Sequence, residues 1–234
     1  MSEPPRSADA PVFTYWDGDA AAIAEQVGHW RAQFPGYRVV TRDQARALLA
    51  ARSPQALEAF DRIALPACRS DLARLLWLEA HGGLYVDAHC AILDAAAIRG
   101  QSGRLNEHEA VVSTRWAPNF GKVMPHNSIL WSRPGAPVTT RLLDIALGNL
   151  VAKAEQERRR GHEPYHVWDL TGPGVLWREL FDTDAADGRL VEVWQGRIGT
   201  VFEADNPVRR HVFTGYRAPG QHWSERQRSE RLFL

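Results

Sequence analysis

The chain has 234 residues, and its 28 acidic and 28 basic side chains give no formal net charge. Non-specific nucleic-acid binders and polybasic membrane-surface proteins need a basic excess to hold phosphates, so this balance disfavours both classes. The length suits one domain of ordinary size. No stretch approaches the roughly 18 apolar residues that a membrane span requires.

The two cysteines, Cys68 and Cys90, match no zinc-binding or redox spacing. We expect two buried free thiols in a reducing compartment. Residues 1–11 contain prolines and charges but lack the apolar segment of a signal peptide, and are predicted to form a disordered tail. The expectation is therefore a cytoplasmic protein with one folded domain over residues 12–234.

The first third of the chain alternates between strand and helix patterns. A β-rich run over 12–16 is followed by a helical pattern over 20–34, and by a second strand over 37–41. A strand, a helix and a strand in this order favour a parallel sheet with helices packed on it. This pattern predicts an α/β fold.

The rest of the chain continues the same pattern. Two helices are predicted near 43–51 and 54–63, and Pro66 marks a boundary before a helix from Ser70 to about 80. Gly82 and Gly83 end that helix, and a strand over 84–87 follows. Further strands are predicted near 110–116, 128–132, 190–194 and 199–202, with a long helix after Pro137 and a shorter one ending near 181. No internal repeat or strong linker divides the chain.

The segment from Ser70 to His89 brings together side chains with chemical potential. Its helix is about 17 Å long at roughly 1.5 Å per residue, and the following strand returns about the same distance at roughly 3.3 Å per residue. Asp87 and His89 would therefore come back level with Asp71 and Arg74, which lie three residues apart on one helix face. Ligands of open α/β sheets bind at such carboxyl ends of strands.

These residue types suit a sugar-nucleotide. Asp87 and His89 can hold a divalent cation that neutralises a diphosphate, and Arg74 offers a planar cation for phosphate or sugar hydroxyls. Asp71 can accept hydrogen bonds from sugar hydroxyls. Spacing alone leaves an equal alternative, in which Asp71 and Arg74 form an ordinary surface ion pair beside an ordinary strand end.

The motif Ser70-Asp-x-x-Arg74 followed by Gly82-Gly-Leu-Tyr-x-Asp87-x-His89 resembles the signature of DXD-type glycosyltransferases. The resemblance is strongest to glycosyltransferase family 32, with the related capsular polysaccharide synthesis proteins and clostridial glucosylating toxins. It implies a GT-A-like fold, in which a single nucleotide-binding α/β domain has a central, mostly parallel sheet flanked by helices. It also implies a nucleotide-sugar donor, Mn²⁺ or Mg²⁺ as cofactor, and retention at the anomeric carbon.

Weaker resemblances extend the match over about 12 to 224. They are Tyr15-Trp16-Asp-Gly, Pro125-His-Asn127-Ser-Ile-Leu, Thr171-Gly-Pro-Gly and Gln221-His222-Trp223-Ser224. Together the motifs imply two catalytic residues, Arg74 and Asp87, and a metal held by Asp87, His89 and His222. The residues implied to bind substrate are Trp16, Asp71, Arg74, Tyr85, Asn127, Trp223 and Ser224.

Several of these residues have simpler alternative roles. Trp16 could be a core aromatic instead of a stacking platform for the base, and Asn127 could be a turn residue. His222 could be a solvated side chain, and Trp223 could hold the C-terminal segment against the domain. His89 also departs from the family pattern, because the third position of the D-x-D motif is usually a second aspartate; imidazole can coordinate Mn²⁺.

The sequence thus predicts a metal-dependent glycosyltransferase that moves a hexose from a UDP- or GDP-sugar to a glycan, lipid-linked glycan or protein. The alternative is a sugar-nucleotide binding module or scaffold without turnover, because the motif is D-x-H. A binuclear phosphoesterase also uses D-x-H, but the later G-D and G-N-H motifs that it requires do not occur after His89.

Overall fold

The computed structural model describes residues 10–210 and 222–234. Most of the predicted N-terminal tail, and Gln221 of the last motif, lie outside the described residues. The sequence predicts that Pro11 ends the tail, but Pro11 already belongs to the fold, because its carbonyl accepts a hydrogen bond from the Leu84 amide at 2.8 Å.

The described strands are β1 (Val12–Tyr15), β2 (Arg38–Val40), β3 (Gly83–Val86), β4 (Ala91–Ile92), β5 (Ala110–Ala117), β6 (Lys122–Ser132), β7 (Ile198–Phe202) and β8 (Val208–Arg209). The described helices are α1 (Ala24–Gln33), α2 (Arg42–Ala50), α3 (Pro54–Arg62), α4 (Pro66–His81), α5 (Ala95–Gly103), α6 (Pro137–Arg160), α7 (Val167–Leu170), α8 (Pro173–Leu180) and α9 (Trp223–Arg226).

Six strands form one sheet in the order β2-β1-β3-β6-β5-β7, and β4 pairs with β8 in a separate ribbon. Strand β6 is antiparallel to both of its neighbours, and the other pairings in the sheet are parallel. The sheet is therefore mostly parallel, as the βαβ pattern predicted.

Helices cover both faces of this sheet. Alternate residues of one strand point to opposite faces, so Phe13 packs in a core cluster with α2, α3, α4, α6 and α8, while Val12 packs in a second cluster with α1 and α5. Leu84 and Tyr85 divide between the two clusters in the same way. Both faces are buried, which confirms the predicted α/β class of a central sheet flanked by helices.

The turn between α4 and β3 requires its two glycines. Gly82 and Gly83 have φ angles of +66° and +103°, which side chains rarely adopt, and a Cβ on Gly83 would lie 2.1 Å from the Pro11 carbonyl oxygen. The glycine pair ends the helix where the sequence predicts, and it lets β3 lie directly beside the chain that enters β1.

Two sequence predictions need correction. The helix that carries Asp71 begins at Pro66, not at Ser70, because proline fits the first turn of a helix. The strand predicted near 190–194 is wrong, since Glu192–Trp194 form a short 3₁₀ turn. The Trp194 indole donates to the Glu179 carbonyl at 3.0 Å, which holds this turn against α8.

The C-terminal residues are part of the fold. Leu232 and Phe233 are buried, and their amides donate to the buried Glu157 carboxylate on α6 at 3.2 and 3.4 Å. No helix among the described residues is long and apolar enough to cross a membrane. Cys68 and Cys90 are both buried free thiols, as predicted.

Candidate functional site

The candidate site lies at the carboxyl ends of the two central parallel strands. Trp16 directly follows β1, and Asp87 directly follows β3. Because β1 and β3 are parallel neighbours, these two residues lie at the same edge of the sheet. The Asp87 amide donates to the Ser128 carbonyl at 2.8 Å, which fixes the turn after β3 against β6.

A bulge in β6 shapes the next part of the site. Val112 pairs with Leu130, but the adjacent Ser113 pairs with His126, so residues 127–129 have no partners on β5. Bulges of this kind redirect side chains beside functional sites. The Asn127 side-chain amide consequently reaches α4 and donates to Asp71 Oδ1 at 2.8 Å.

Asp71 and Arg74 form a buried ion pair. The distance from Arg74 Nη2 to Asp71 Oδ1 is 3.0 Å, and the two residues are only 4% and 6% exposed, Arg74 being the more buried. Asp71 Oδ2 accepts a hydrogen bond from Thr171 Oγ1 at 3.1 Å. The alternative that Asp71 and Arg74 form an ordinary surface ion pair is therefore wrong. Protein donors already contact both oxygens of the Asp71 carboxylate.

Arg74 links this pair to Asp87. Its Nη2 lies 3.4 Å from Asp87 Oδ1 and 3.1 Å from Ser70 Oγ. The Tyr85 hydroxyl donates to the same Asp87 oxygen at 2.6 Å, and the Arg74 guanidinium lies 4.5 Å from the centre of the Tyr85 ring. The predicted meeting of Asp71, Arg74 and Asp87 is thus observed. Their roles toward a substrate stay predictions.

Burial shifts the protonation of this cluster. It raises the pKa of Asp71 to about 6, although Arg74 attracts the charged form of the carboxyl. Burial also raises the pKa of Tyr85 well above its usual value, which keeps the phenol protonated as the donor to Asp87. At neutral pH the cluster therefore holds an ionised Asp71 and a neutral Tyr85.

The raised pKa of Asp71 predicts a pH dependence of stability. Native Asp71 binds its proton more tightly than the unfolded chain, where the pKa is about 3.8. The native state therefore gains stability as the pH falls through about 6 toward 4. The Asp71→Asn variant lacks this titration. Urea unfolding measures the free energy of unfolding of both proteins. The wild-type value minus the variant value should increase by about 1 kcal/mol when the pH is lowered from 7 to 5. A decrease would show that attraction by Arg74 outweighs burial.

Two of the three predicted metal ligands lie together. Asp87 Oδ2 and His89 Nε2 are 3.8 Å apart. Two ligands of one cation are at most about 4.2 Å apart when each bond is about 2.1 Å long, so this spacing is compatible with a shared divalent cation. In the parts of the chain that the structure describes, no three His, Cys, Asp or Glu side chains form a group that could hold a metal. The third ligand, His222, stays a prediction.

Trp16 is half-buried and lies outside both core clusters. Its indole Nε1 donates to the Asp19 carbonyl at 2.9 Å, and its ring packs against Gly18, where a Cβ would lie 3.2 Å from the indole. The neighbouring Asp17 pairs with Arg69 at 2.5 Å. The interpretation of Trp16 as a core aromatic is not supported, and base stacking stays a prediction.

The last motif begins the short helix α9. His222 Nδ1 lies 2.7 Å from Ser224 Oγ and accepts from the Ser224 amide at 3.4 Å, which caps that helix. Trp223 is partly buried against the larger core cluster and lies edge-on to His166, with ring centres 6.3 Å apart. Trp223 therefore does hold this segment against the domain. Its contact with a phosphate, and that of Ser224, stay predictions.

Sequence reasoning missed two residues that contact the cluster. The sequence predicts Thr171 only as part of a turn, yet its hydroxyl donates to Asp71, which lies 100 residues earlier in the chain. Ser70 lies within 3.0 Å of the Tyr85 hydroxyl and joins Tyr85 to Arg74. Each of them is the first residue of a motif identified in the sequence, and this position was the only sequence signal for a role at the site.

Comparison with known proteins finds a family match over the segment that contains the central motif. Residues 21–102 match the family model described as "Glycosyltransferase sugar-binding region containing DXD motif". This segment is about a third of the chain, and it contains Asp71, Arg74, Asp87 and His89. The match bears out the predicted enzyme class, a glycosyltransferase, at the segment that carries the motif. Membership of family 32 stays a prediction, and no curated protein matches the chain.

Three solved structures are similar at a low level. The structure "PaToxG Glycosyltransferase" has a TM-score of 0.44 and 14% identity, over 73% of this chain and 68% of that one. The ligand-free and UDP-bound glycosyltransferase domains "from the YGT toxin" have TM-scores of 0.38 and 0.39 with 12% identity, over 70% and 74% of this chain. The chain spans about half of those two, 52% and 53%. These values are too low to transfer a substrate or a residue role.

Proposed function

We propose that the chain is a metal-dependent glycosyltransferase that moves a hexose from a UDP- or GDP-sugar to a glycan acceptor. The observation that carries the proposal is the buried Asp71–Arg74–Asp87 cluster at the carboxyl end of β3, within the segment that matches a glycosyltransferase sugar-binding region. The two buried free thiols support a reducing, cytoplasmic location.

The order of the strands supports one orientation of the bound nucleotide-sugar, with the base at β1 and the sugar at β6. Trp16 follows β1 and would stack on the base, while Asp87 and His89 follow the neighbouring β3 and would lie at the diphosphate. Asn127, on the next strand β6, would then lie near the sugar with Asp71 and Arg74. Such a site does not require the whole chain to carry a net positive charge, because a few local cations can neutralise one small anion.

Asp87 and His89 would hold Mn²⁺ or Mg²⁺, with His222 as the third ligand. When bound, the cation would neutralise the charge of the departing nucleoside diphosphate. Arg74 would hold Asp87 in place through its 3.4 Å contact and add a fixed positive charge beside the leaving group. Asp71 already accepts hydrogen bonds on both oxygens, which favours a positioning role over that of a nucleophile. Retention at the anomeric carbon rests on the resemblance alone.

A second candidate function is a sugar-nucleotide binding scaffold without turnover. The observation that favours it is His89 in the D-x-D position, together with the lack of a three-residue metal group within residues 10–210 and 222–234. Under this alternative the cluster binds donor, and no sugar is transferred or hydrolysed.

A panel of UDP- and GDP-sugars with and without Mn²⁺ tests the proposal. A donor at 100 times its Kd should stabilise the chain by about 2.7 kcal/mol, a rise of roughly 5–10 °C in melting temperature for a chain of this size. The wild type should also hydrolyse the stabilising donor slowly when Mn²⁺ is present. His89→Asp should retain or increase both effects, because it restores a second carboxylate.

The outcomes separate the two candidates. Stabilisation without hydrolysis in both proteins would favour the scaffold. Loss of both effects in a folded His89→Asp variant would show that the imidazole has a role other than metal binding. If no nucleotide-sugar stabilises the wild type, the proposed function is wrong.

A further inference from the structure

Three aromatic side chains form a surface that the donor site does not use. We call Phe120, Trp168 and Trp177 the aromatic surface. The rings of Phe120 and Trp168 are nearly parallel, at 11° and 6.3 Å between centres. Trp177 lies 6.3 Å from Phe120 and 5.7 Å from Trp168. Phe120 is 57% exposed, and both tryptophans are half-buried. The cluster is thus supported from below and open to solvent.

The glycines of the Thr171-Gly-Pro-Gly turn hold Trp168 in this position. A Cβ on Gly174 would lie 2.5 Å from the Trp168 ring, and one on Gly172 would lie 3.0 Å from its Cα. The indole therefore packs directly on the backbone at the start of α8. Such close support fixes the ring, so little conformational entropy remains to be lost on binding.

The aromatic surface lies beside the candidate site. Thr171, next to the end of α7, donates to the buried Asp71, and Trp168 is three residues before it. Phe120 lies in the turn after β5. Strand β6 is antiparallel to both β3 and β5, so β5 runs in the same direction as β3 and β1. Its turn therefore lies on the same side of the sheet as Trp16 and Asp87, and extends past them because β5 continues to Ala117.

The width of the sheet leaves room for one donor molecule between Trp16 and the aromatic surface. Three strand-to-strand steps of about 4.8 Å separate β1 from β5, roughly 14 Å in total. A nucleoside diphosphate and its sugar would occupy the edge from β1 to β6. The aromatic surface begins where the donor would end, which is the place for the group that receives the sugar.

The chemistry of this surface suits a neutral sugar ring. The C–H face of a hexopyranose is apolar and packs on aromatic rings by dispersion and loss of bound water. Arg178 and Asp169, the sequence neighbours of Trp177 and Trp168, pair with each other. This pair adds no net charge beside the two tryptophans, which suits a neutral ligand.

Resting on the proposed function, we propose that Phe120, Trp168 and Trp177 bind a neutral hexopyranose ring of the acceptor glycan. The acceptor is then an oligosaccharide or glycan chain, and its terminal ring stacks on this surface with a hydroxyl directed toward the donor sugar. The nucleotide makes no contact with these three side chains.

The test measures binding of neutral hexopyranose oligosaccharides without any nucleotide. An array that includes maltohexaose, cellohexaose and galactohexaose is screened with the full chain, and the tightest ligand is titrated by calorimetry. Phe120→Ala should weaken its Kd at least tenfold, since one ring contact is lost. Trp116→Ala is the matched control. Trp116 is 50% exposed in the same hairpin and lies outside the ring contacts of the aromatic surface, so its removal should change Kd less than twofold.

Several results would overturn the proposal. They are a wild type that binds none of the oligosaccharides, an unchanged Kd in Phe120→Ala, or equal losses in both variants. A wild-type dimer that Phe120→Ala converts to a monomer would assign the surface to a second copy of the chain. Phe120→Ala should keep the wild-type melting temperature and its stabilisation by nucleotide-sugar. Failure of nucleotide-sugar stabilisation in the wild type would instead contradict the proposed function.

Discussion

Replacing Asp87 with Asn is expected to lower metal-dependent donor hydrolysis by about 10²–10³-fold while the chain stays folded. The amide oxygen of Asn can still accept the hydrogen bond that Tyr85 donates to Asp87 at 2.6 Å. It lacks the negative charge that strengthens the binding of a divalent cation and that Arg74 contacts at 3.4 Å. Hydrolysis of the stabilising UDP- or GDP-sugar, followed in parallel with the melting temperature, measures the effect.

The matched control is Asp43→Asn. The Asp43 side chain is 92% exposed in the first turn of α2, so the same chemical change there should leave hydrolysis within twofold of wild type. Wild-type hydrolysis in a folded Asp87→Asn variant would refute the assignment of the site. A large loss in both variants would point to a general effect of charge.

Replacing Arg74 with Met is expected to reduce the free energy of unfolding by about 3–5 kcal/mol. The substitution keeps most of the volume but leaves the Asp71 carboxylate buried without its cation, 3.0 Å from where the guanidinium was. Asp87 loses its contact with Arg74 at the same time, so donor hydrolysis should also decrease. Urea unfolding at pH 7 measures the first effect.

The double variant Asp71→Asn with Arg74→Met separates pairing from packing. If Arg74→Met is destabilising because it leaves the Asp71 carboxylate unpaired, adding Asp71→Asn should restore about half or more of the lost free energy of unfolding. Additive losses in the double variant would show that Arg74 acts through its packing on Tyr85 and its contact with the Asn127 carbonyl.

The predictions that succeeded depend on local rules. Apolar periodicity placed most helices and strands, and the Gly82-Gly83 pair marked the turn into β3 because only glycine tolerates that backbone. The three-residue spacing of Asp71 and Arg74 placed them on one helix face. The error at 190–194 has the opposite cause, since its β-rich composition was overridden when Trp194 bonded to α8.

The sequence by itself determined the α/β class, the turn after α4 and the residues that could carry the chemistry, because these follow from periodicity and spacing over a few residues. Only the tertiary structure decided that the ion pair is buried, that a bulge turns Asn127 toward Asp71, and that Thr171 completes the cluster. It also brought Phe120 to Trp168 and Trp177. These contacts join residues 48 to 100 positions apart. Such pairings depend on how whole elements pack, which no local pattern encodes.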